Sequence, residues 1–309
     1  MLCLKKRALI TSLLALGNVI GTLIGMIFNS FFFNDKKVTI IEYKNSLFNY
    51  LLAECIICAI FSLVPIIFLK SKPSCPPSMS QKIMKVPLFS DSIKMLFKNK
   101  NFMCLNITFT IIVGYFNLIG TILNQLLSAY NIQRSKINLI GGVGNVLGLL
   151  MSIISSLIVD RHKKYKPTFI AFCVIAISSQ IILCILSEIF YYNELYSFIV
   201  WLICWSFILM ACVPCYTIGM DYVCEITYPI GELISGGFIL SCSQLLGILE
   251  TYLSEYFLNT LDKKYLINLM SCILFIFALL SLLFLDEKLV RNNIDEGYKK
   301  SFISRNHEN

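Results

Sequence analysis

The feature that most constrains this chain is a series of eight long apolar runs separated by short polar breaks. A helix needs about 20 mainly apolar residues to cross roughly 30 Å of hydrocarbon. Membrane β-barrels instead show alternating segments of about ten residues, and the sequence contains none of these. We therefore predict an all-α polytopic membrane protein with eight transmembrane helices. The predicted spans are residues 8–33, 46–69, 102–130, 137–159, 168–189, 195–220, 235–257 and 266–285.

The composition argues against a water-soluble fold. Hydrophobic residues make up 57% of the 309 and charged residues 14%, whereas soluble domains have about 45–50% and about 25%. The first run follows three basic residues, as a signal peptide would. Its roughly 26 apolar residues exceed the 7–15 of a signal core, so we expect a true span.

Lysine and arginine predict the orientation, because cytoplasmic loops carry an excess of them. Of the 26 basic residues, 19 fall on the side that holds the amino terminus, residues 70–100, 160–167 and 222–232, and the tail. This side is predicted to be cytosolic, with both termini there. The net charge of +8 then reflects topology and attraction to anionic lipid. We expect the lipid bilayer, and no nucleic acid, as a partner.

Amide side chains inside the predicted spans are costly in hydrocarbon and call for an explanation. Asn117, Asn124 and Gln125 share the third span at spacings of seven and eight, which place them near one face, and Gln244 lies in the seventh. Two interpretations are open. The amides join helices through hydrogen bonds, or they line a wet translocation path.

Two carboxylates also fall within predicted spans. Glu54 lies in the second and Glu250 in the seventh. Each is either a group near the headgroups, a group facing water in a pore, or a carboxyl that stays protonated. The alternative is a role in proton coupling or cation binding, which we consider more seriously for Glu250 than for Glu54.

Other motifs favour packing over chemistry. Gly144 and Gly148 give the fourth span the small-xxx-small spacing that lets helices approach closely. The two Cys-x-x-Cys pairs, at 55–58 and 212–215, lack further soft ligands. The two histidines, His162 and His307, lie outside the predicted spans, and no H-E-x-x-H or G-x-S-x-G motif occurs. We therefore expect no enzyme, no cofactor and no metal site.

Several segments carry a family resemblance. Asp160 and the basic cluster after it resemble the short cytosolic loop of major facilitator superfamily transporters, although Ser156 replaces the first glycine of that motif. Longer segments are similar, in order and spacing, to the feline leukaemia virus subgroup C receptor (FLVCR) family. These are LGNVIG at 16–21, PPS at 76–78, LNQ at 123–125, EITYP at 225–229 and SQLLGIL at 243–249.

The resemblance implies a facilitator with twelve spans in two six-helix halves, which carries choline and ethanolamine, with haem also attributed to it. The eight spans here then match the fifth through twelfth, with the first four absent. Residues 1–70 would hold the last two spans of the amino-terminal half, and 71–100 a cytosolic linker. Residues 101–285 would form the six-span carboxy-terminal half, and 286–309 a cytosolic tail. The family also suggests the plasma membrane, with an organelle membrane as the alternative.

The resemblance also bears on the solute site, which in this family combines aromatic side chains with glutamines. Gln244 matches one of those glutamines, whereas Val19 and Asn117 stand at positions of a glutamine and an aromatic residue. We expect Gln244 and Asn117, with Asn124 and Gln125, to face the solute during alternating access. Asp160 and Arg161 are expected to latch the cytosolic side.

Two function hypotheses therefore stand. The first is transport of a small solute, most directly choline or ethanolamine, or haem. The second is a membrane protein that does not transport: a receptor, a partner-binding fragment or a truncated gene model.

Overall fold

The computed structural model describes residues 40–68, 87–261, 263–287 and 289–294, together with scattered helical residues between Leu9 and Phe32. Over these residues the chain is built of helices and connecting loops. The helices are α1 (Ile40–Phe68), α2 (Phe89–Lys98), α3 (Lys100–Ala129), α4 (Arg134–His162), α5 (Tyr165–Ile189), α6 (Glu194–Ile226), α7 (Glu232–Asn259) and α8 (Tyr265–Leu283).

Seven of these helices are long and apolar enough to cross a membrane, namely α1 and α3 to α8. They correspond in order to the second through eighth predicted spans. The first predicted span, residues 8–33, lies mostly outside the described residues. The predicted class, an all-α protein that crosses the membrane several times, is confirmed.

The structure adds detail in two of the segments between predicted spans. Within residues 71–100, predicted as a cytosolic linker, Phe89–Lys98 forms the amphipathic helix α2, which buries Ser92 and Leu96. The predicted break at 222–232 is shorter, because α6 continues to Ile226. Its last turns are polar yet buried, since their carboxylates have partners: Asp221, for example, accepts a hydrogen bond from the Tyr165 hydroxyl.

The chain divides into two compact units. Residues 17–77 form one unit, which contains α1, a helix with no buried residue. Residues 1–16 and 78–309 form the other, which contains α2 to α8. Within this second unit α6 is central: α4 and α5 pack along it, α3 packs along α7, and α8 lies against α3 and α5.

The contact between α4 and α6 is close because two glycines line it. A Cβ atom on Gly144 would lie 2.8 Å from Leu209 Cδ1, and one on Gly148 would lie 2.9 Å from the Leu209 carbonyl oxygen. Real Cβ atoms do not approach this closely, so a larger residue at either position would require the facing atoms to shift. This confirms the packing role predicted for the pair.

A chain of hydrogen bonds runs through the interior of the second unit. The Tyr115 hydroxyl donates to Gln180 Oε1 at 3.0 Å, and Gln180 Nε2 lies 3.4 Å from Asn268 Oδ1. Asn268 Nδ2 in turn lies 3.3 Å from the Tyr130 hydroxyl, which donates to Glu188 at 2.7 Å. The chain joins α3, α5 and α8 and satisfies amides that would otherwise be costly in an apolar interior.

The segment after α8 docks on helix ends. Glu287 accepts a hydrogen bond from the Tyr165 backbone at 2.7 Å, where α5 begins. Arg291 pairs with Glu232, at the first residue of α7, with 2.6 Å between Nη2 and Oε1. The start of the predicted tail is therefore attached to the same end of the bundle as the α4–α5 and α6–α7 loops.

Candidate functional site

The middle of α3 crosses the middle of α7 at a pair of glycines. A Cβ on Gly247 would lie 3.3 Å from the Gly114 carbonyl oxygen and 3.2 Å from Asn117 Cβ. Asn117 lies near the midpoint of the 30-residue α3, and Gln244 near the midpoint of the 28-residue α7. Because transmembrane helices are centred on the bilayer, the crossing lies near the depth of its midplane.

The crossing holds two of the predicted solute-facing residues. Asn117 is half-buried, and its Nδ2 atom is buried without a hydrogen-bond partner among the described residues. Gln244 is exposed, one helical turn before Gly247. The structure therefore places these two amides on facing helices at similar depth. Asn124 and Gln125 are exposed further along α3, about 10–12 Å from Asn117 at 1.5 Å per residue.

Asn124 and Gln125 belong to a polar stripe along α3. Thr121, Asn124, Gln125 and Ser128 are all exposed, and their spacing of i, i+3, i+4 and i+7 puts them on one face. The stripe leads from the end of α3 towards Asn117 near its middle. We name Thr121, Asn124, Gln125 and Ser128 the polar stripe.

Other helices of the bundle expose a different surface. Over residues 139–158 of α4 and 171–185 of α5, away from the helix ends, the exposed large side chains are apolar, as expected of surfaces that face lipid; they are Leu139, Val143, Val146, Leu150, Ile154, Leu157, Ile158, Val174, Ile181, Ile182 and Ile185. Lipid tails offer no hydrogen bonds to the amides of the polar stripe. Water, a solute or another protein segment is therefore the favourable neighbour of this face of α3.

A buried carboxyl lies beside the crossing. Glu250 is only 2% exposed, and a Cβ on Gly114 would lie 3.5 Å from its Oε2 atom. Both of its carboxyl oxygens are buried with no hydrogen-bond partner among the described residues. Glu54, the other carboxylate noted from the sequence, is exposed on α1.

The predicted cytosolic latch residues have different surroundings. Asp160 Oδ2 accepts a hydrogen bond from the Leu9 backbone nitrogen at 3.0 Å, and Oδ1 lies 3.5 Å from Lys163 Nζ. The Asp160 side chain is only 6% exposed, whereas Arg161 is exposed. Asp160 thus joins the end of α4 to the helical segment at Leu9. The latch role itself stays a prediction.

The sequence profile of the Major Facilitator Superfamily matches residues 4–227 of this chain, well over half its length. The chain belongs to the Major Facilitator Superfamily. As a member, it shares the membrane-embedded, multi-pass nature that its helices show.

Within the superfamily, this chain is similar to several individual transporters. The choline/ethanolamine transporter FLVCR2 of Rattus norvegicus is 27% identical over 247 residues, 78% of this chain and 44% of the relative. FLVCR1 of Felis catus, also named a choline/ethanolamine transporter, is 29% identical over 238 residues, which are 75% of this chain and 41% of the relative. Solute carrier family 49 member A3 of Danio rerio is 26% identical over 242 residues, which are 78% of this chain and 48% of the relative.

These similarities confirm the resemblance to FLVCR transporters predicted from the sequence. The chain spans less than half the length of the three relatives.

Several polar residues that are prominent in the structure were not predicted from the sequence. Gln180 and Asn268 are buried amides within the fifth and eighth predicted spans. The cost of burying an amide could have singled them out. Thr121 and Ser128 could have been added to Asn124 and Gln125 from helical periodicity.

No metal centre is formed by the part of the chain that the structure describes, because no three His, Cys, Asp or Glu side chains are grouped there. Cys212 and Cys215, one of the Cys-x-x-Cys pairs, are free thiols buried in α6.

Proposed function

We propose that this protein carries a small organic cation across the membrane by alternating access, with ethanolamine or choline as the solute. The observation that carries the proposal is the polar stripe, which leads along α3 to the crossing with α7. Substrate sites of secondary transporters lie near the bilayer midplane, and Asn117 and Gln244 lie near that depth. The names of the FLVCR relatives supply the solute class.

The side chains at the crossing favour ethanolamine over choline. An aromatic cage is the usual device for a quaternary ammonium group. Asn117 offers no aromatic face. The neighbouring Tyr115 is buried against Phe275, with 4.9 Å between ring centroids, and donates its hydroxyl to Gln180. Amide oxygens accept hydrogen bonds from a primary ammonium, which has three N–H donors, whereas choline has none.

Uptake into vesicles tests the proposal. The purified protein is reconstituted, and saturable uptake of labelled ethanolamine, choline and haem is compared. Gln244→Ala should lower the initial rate at low solute concentration about two- to tenfold, because one hydrogen bond contributes about 0.5–1.5 kcal/mol net. Leu245→Ala is the matched control, since Leu245 is its exposed apolar neighbour on α7, and its rate should be unchanged.

The outcomes separate the two function hypotheses. Saturable uptake that Gln244→Ala impairs and Leu245→Ala spares supports transport, and the preferred solute identifies the substrate. The proposed activity makes no covalent change, so chromatography should recover the solute intact. Absence of saturable uptake of all three solutes contradicts the proposal and favours a receptor or partner-binding role.

The membrane and the orientation are part of the same proposal. We place the protein in the plasma membrane with its basic loops in the cytosol, following the lysine and arginine distribution. In intact cells, a membrane-impermeant amine reagent should label Lys136 and Lys264, which lie at the opposite end of the bundle from Lys163. Preferential labelling of Lys163 would show that the protein has the opposite orientation.

A further inference from the structure

Glu250 differs from the other buried carboxyl groups of the bundle, which accept hydrogen bonds. It is 2% exposed, and Ser254, one turn further along α7, is fully buried. Both Glu250 oxygens and the Ser254 hydroxyl are buried without a hydrogen-bond partner among the residues that the structure describes. By contrast, Gln180 and Asn268 are bonded to each other and to tyrosines. The polar chain of the interior therefore satisfies its amides and leaves this carboxyl out.

The space around the carboxyl is tight. A Cβ on Gly114 would lie 3.5 Å from Glu250 Oε2 and 3.4 Å from the Leu246 side chain. One turn away, Gly247 would bring a Cβ to 3.3 Å from the Gly114 carbonyl oxygen. The two helices meet at van der Waals distance here. A proton is the cation that this packed arrangement accommodates without moving them apart.

Among the residues that the structure describes, the helices packed against α7 bring no compensating positive charge to this level. The charged residue of α3 is its first, Lys100; α8 has none; and those of α6 are Glu194, Asp221 and Glu225, all acidic. The charges of α2 lie at the far end of α7, where Phe97 contacts Phe238, twelve residues or about 18 Å from Glu250. The titratable neighbour on α3, Tyr115, already donates to Gln180.

We propose that Glu250 is a proton-binding site, neutral while α3 and α7 are packed together and ionised only when the seam between them admits water. The balance is simple: the carboxylic acid gives its proton to water, and the carboxylate takes one back before the seam closes. A buried carboxylate without a partner is strongly disfavoured, so the packed state retains the proton.

Glu250 also has a role in the transport cycle, and this part of the proposal rests on the proposed function. The polar stripe lies on α3, so separating α3 from α7 alters the proposed solute pathway and hydrates Glu250 together. Proton exchange at Glu250 and opening of the pathway are then one event. Uptake should respond to a proton gradient.

Infrared spectroscopy tests proton binding independently of transport. In lipid vesicles at neutral pH, the wild-type protein should show the C=O stretch of a protonated carboxyl. Glu250→Gln should lack that band, and Glu255→Gln, a half-buried glutamate on the same helix, should retain it. A band that persists in Glu250→Gln, or that the wild type lacks, overturns the proposal.

Thermal unfolding gives a second measurement. The folded protein holds one more proton than the unfolded chain at neutral pH, so its free energy of unfolding falls as the pH rises. Glu250→Gln mimics the protonated form and should remove this part of the pH dependence, whereas Glu255→Gln should keep it. If the two variants respond identically to pH, Glu250 does not hold the proton.

Uptake measurements then separate the two proposals. An imposed proton gradient should change the initial rate of ethanolamine uptake in the wild type several-fold, and in Glu250→Gln hardly at all. If the infrared band behaves as expected but no solute is taken up, the proton site stands and the transport proposal fails. If uptake is saturable but follows a sodium gradient and ignores the proton gradient, the coupling to protons is overturned.

Discussion

Replacing Gly148 by alanine would place a methyl group where the contact between α4 and α6 has no room. Its carbon would lie 2.9 Å from the Leu209 carbonyl oxygen and 2.8 Å from Val213 Cγ2. The carbonyl belongs to the backbone of α6 and cannot rotate away, so the helices must separate by several tenths of an ångström. Overpacking of this kind costs about 1–3 kcal/mol, and the better helix propensity of alanine offsets up to about 1 kcal/mol. We expect a net loss of about 1–2 kcal/mol.

Two glycines of the same helix supply graded controls. A Cβ on Gly142 meets nothing within 4 Å, so Gly142→Ala should be neutral or slightly stabilising. At Gly144 the nearest atoms, Leu209 Cδ1 at 2.8 Å and Trp205 Cδ1 at 3.0 Å, belong to side chains. These side chains can partly yield, so Gly144→Ala should fall between the other two variants.

Unfolding in mixed micelles of increasing SDS content, followed by far-ultraviolet circular dichroism, measures all three variants. Circular dichroism is preferable to tryptophan fluorescence, because Trp205 adjoins one of the substituted positions. The expected order of stability is Gly142→Ala, Gly144→Ala, Gly148→Ala. If Gly148→Ala unfolds at the same SDS fraction as Gly142→Ala, the close contact between α4 and α6 is refuted.

Three further predictions concern polar contacts. Asp160→Ala removes the acceptor of the Leu9 N–H and should slow uptake at equal surface expression. Asp160→Asn keeps an acceptor and should slow uptake less. Equal uptake rates for both variants and the wild type would exclude the latch. Gln180→Leu leaves the buried Tyr115 hydroxyl without its acceptor and should lower the free energy of unfolding in SDS by about 1–3 kcal/mol. This loss should exceed that of Tyr115→Phe. A larger loss for Tyr115→Phe would contradict the chain of hydrogen bonds. Arg291→Ala breaks the 2.6 Å ion pair to the start of α7 and should speed limited proteolysis of the segment after α8; an unchanged cleavage rate would show that other contacts hold it.

The spans and the glycine contact were predictable from the sequence because they depend on local properties. Apolar residues in runs of about 20 have few favourable environments other than a bilayer. The spacing of Gly144 and Gly148 puts both on one face of a helix whatever its neighbour is. Helix ends were less predictable. Hydropathy ends where polar residues begin, but α6 continues to Ile226 because its terminal carboxylates have partners that are distant in the chain.

The polar residues within the spans show what the sequence by itself could not determine. Periodicity placed Asn117, Asn124 and Gln125 near one face of α3, and that much followed from the chain alone. Only the tertiary structure showed that Gln180 has hydrogen-bond partners and Glu250 has none among the described residues. The physical reason is that a helix sets the directions of its own side chains, whereas hydrogen-bond partners come from helices remote in sequence and depend on how the bundle packs.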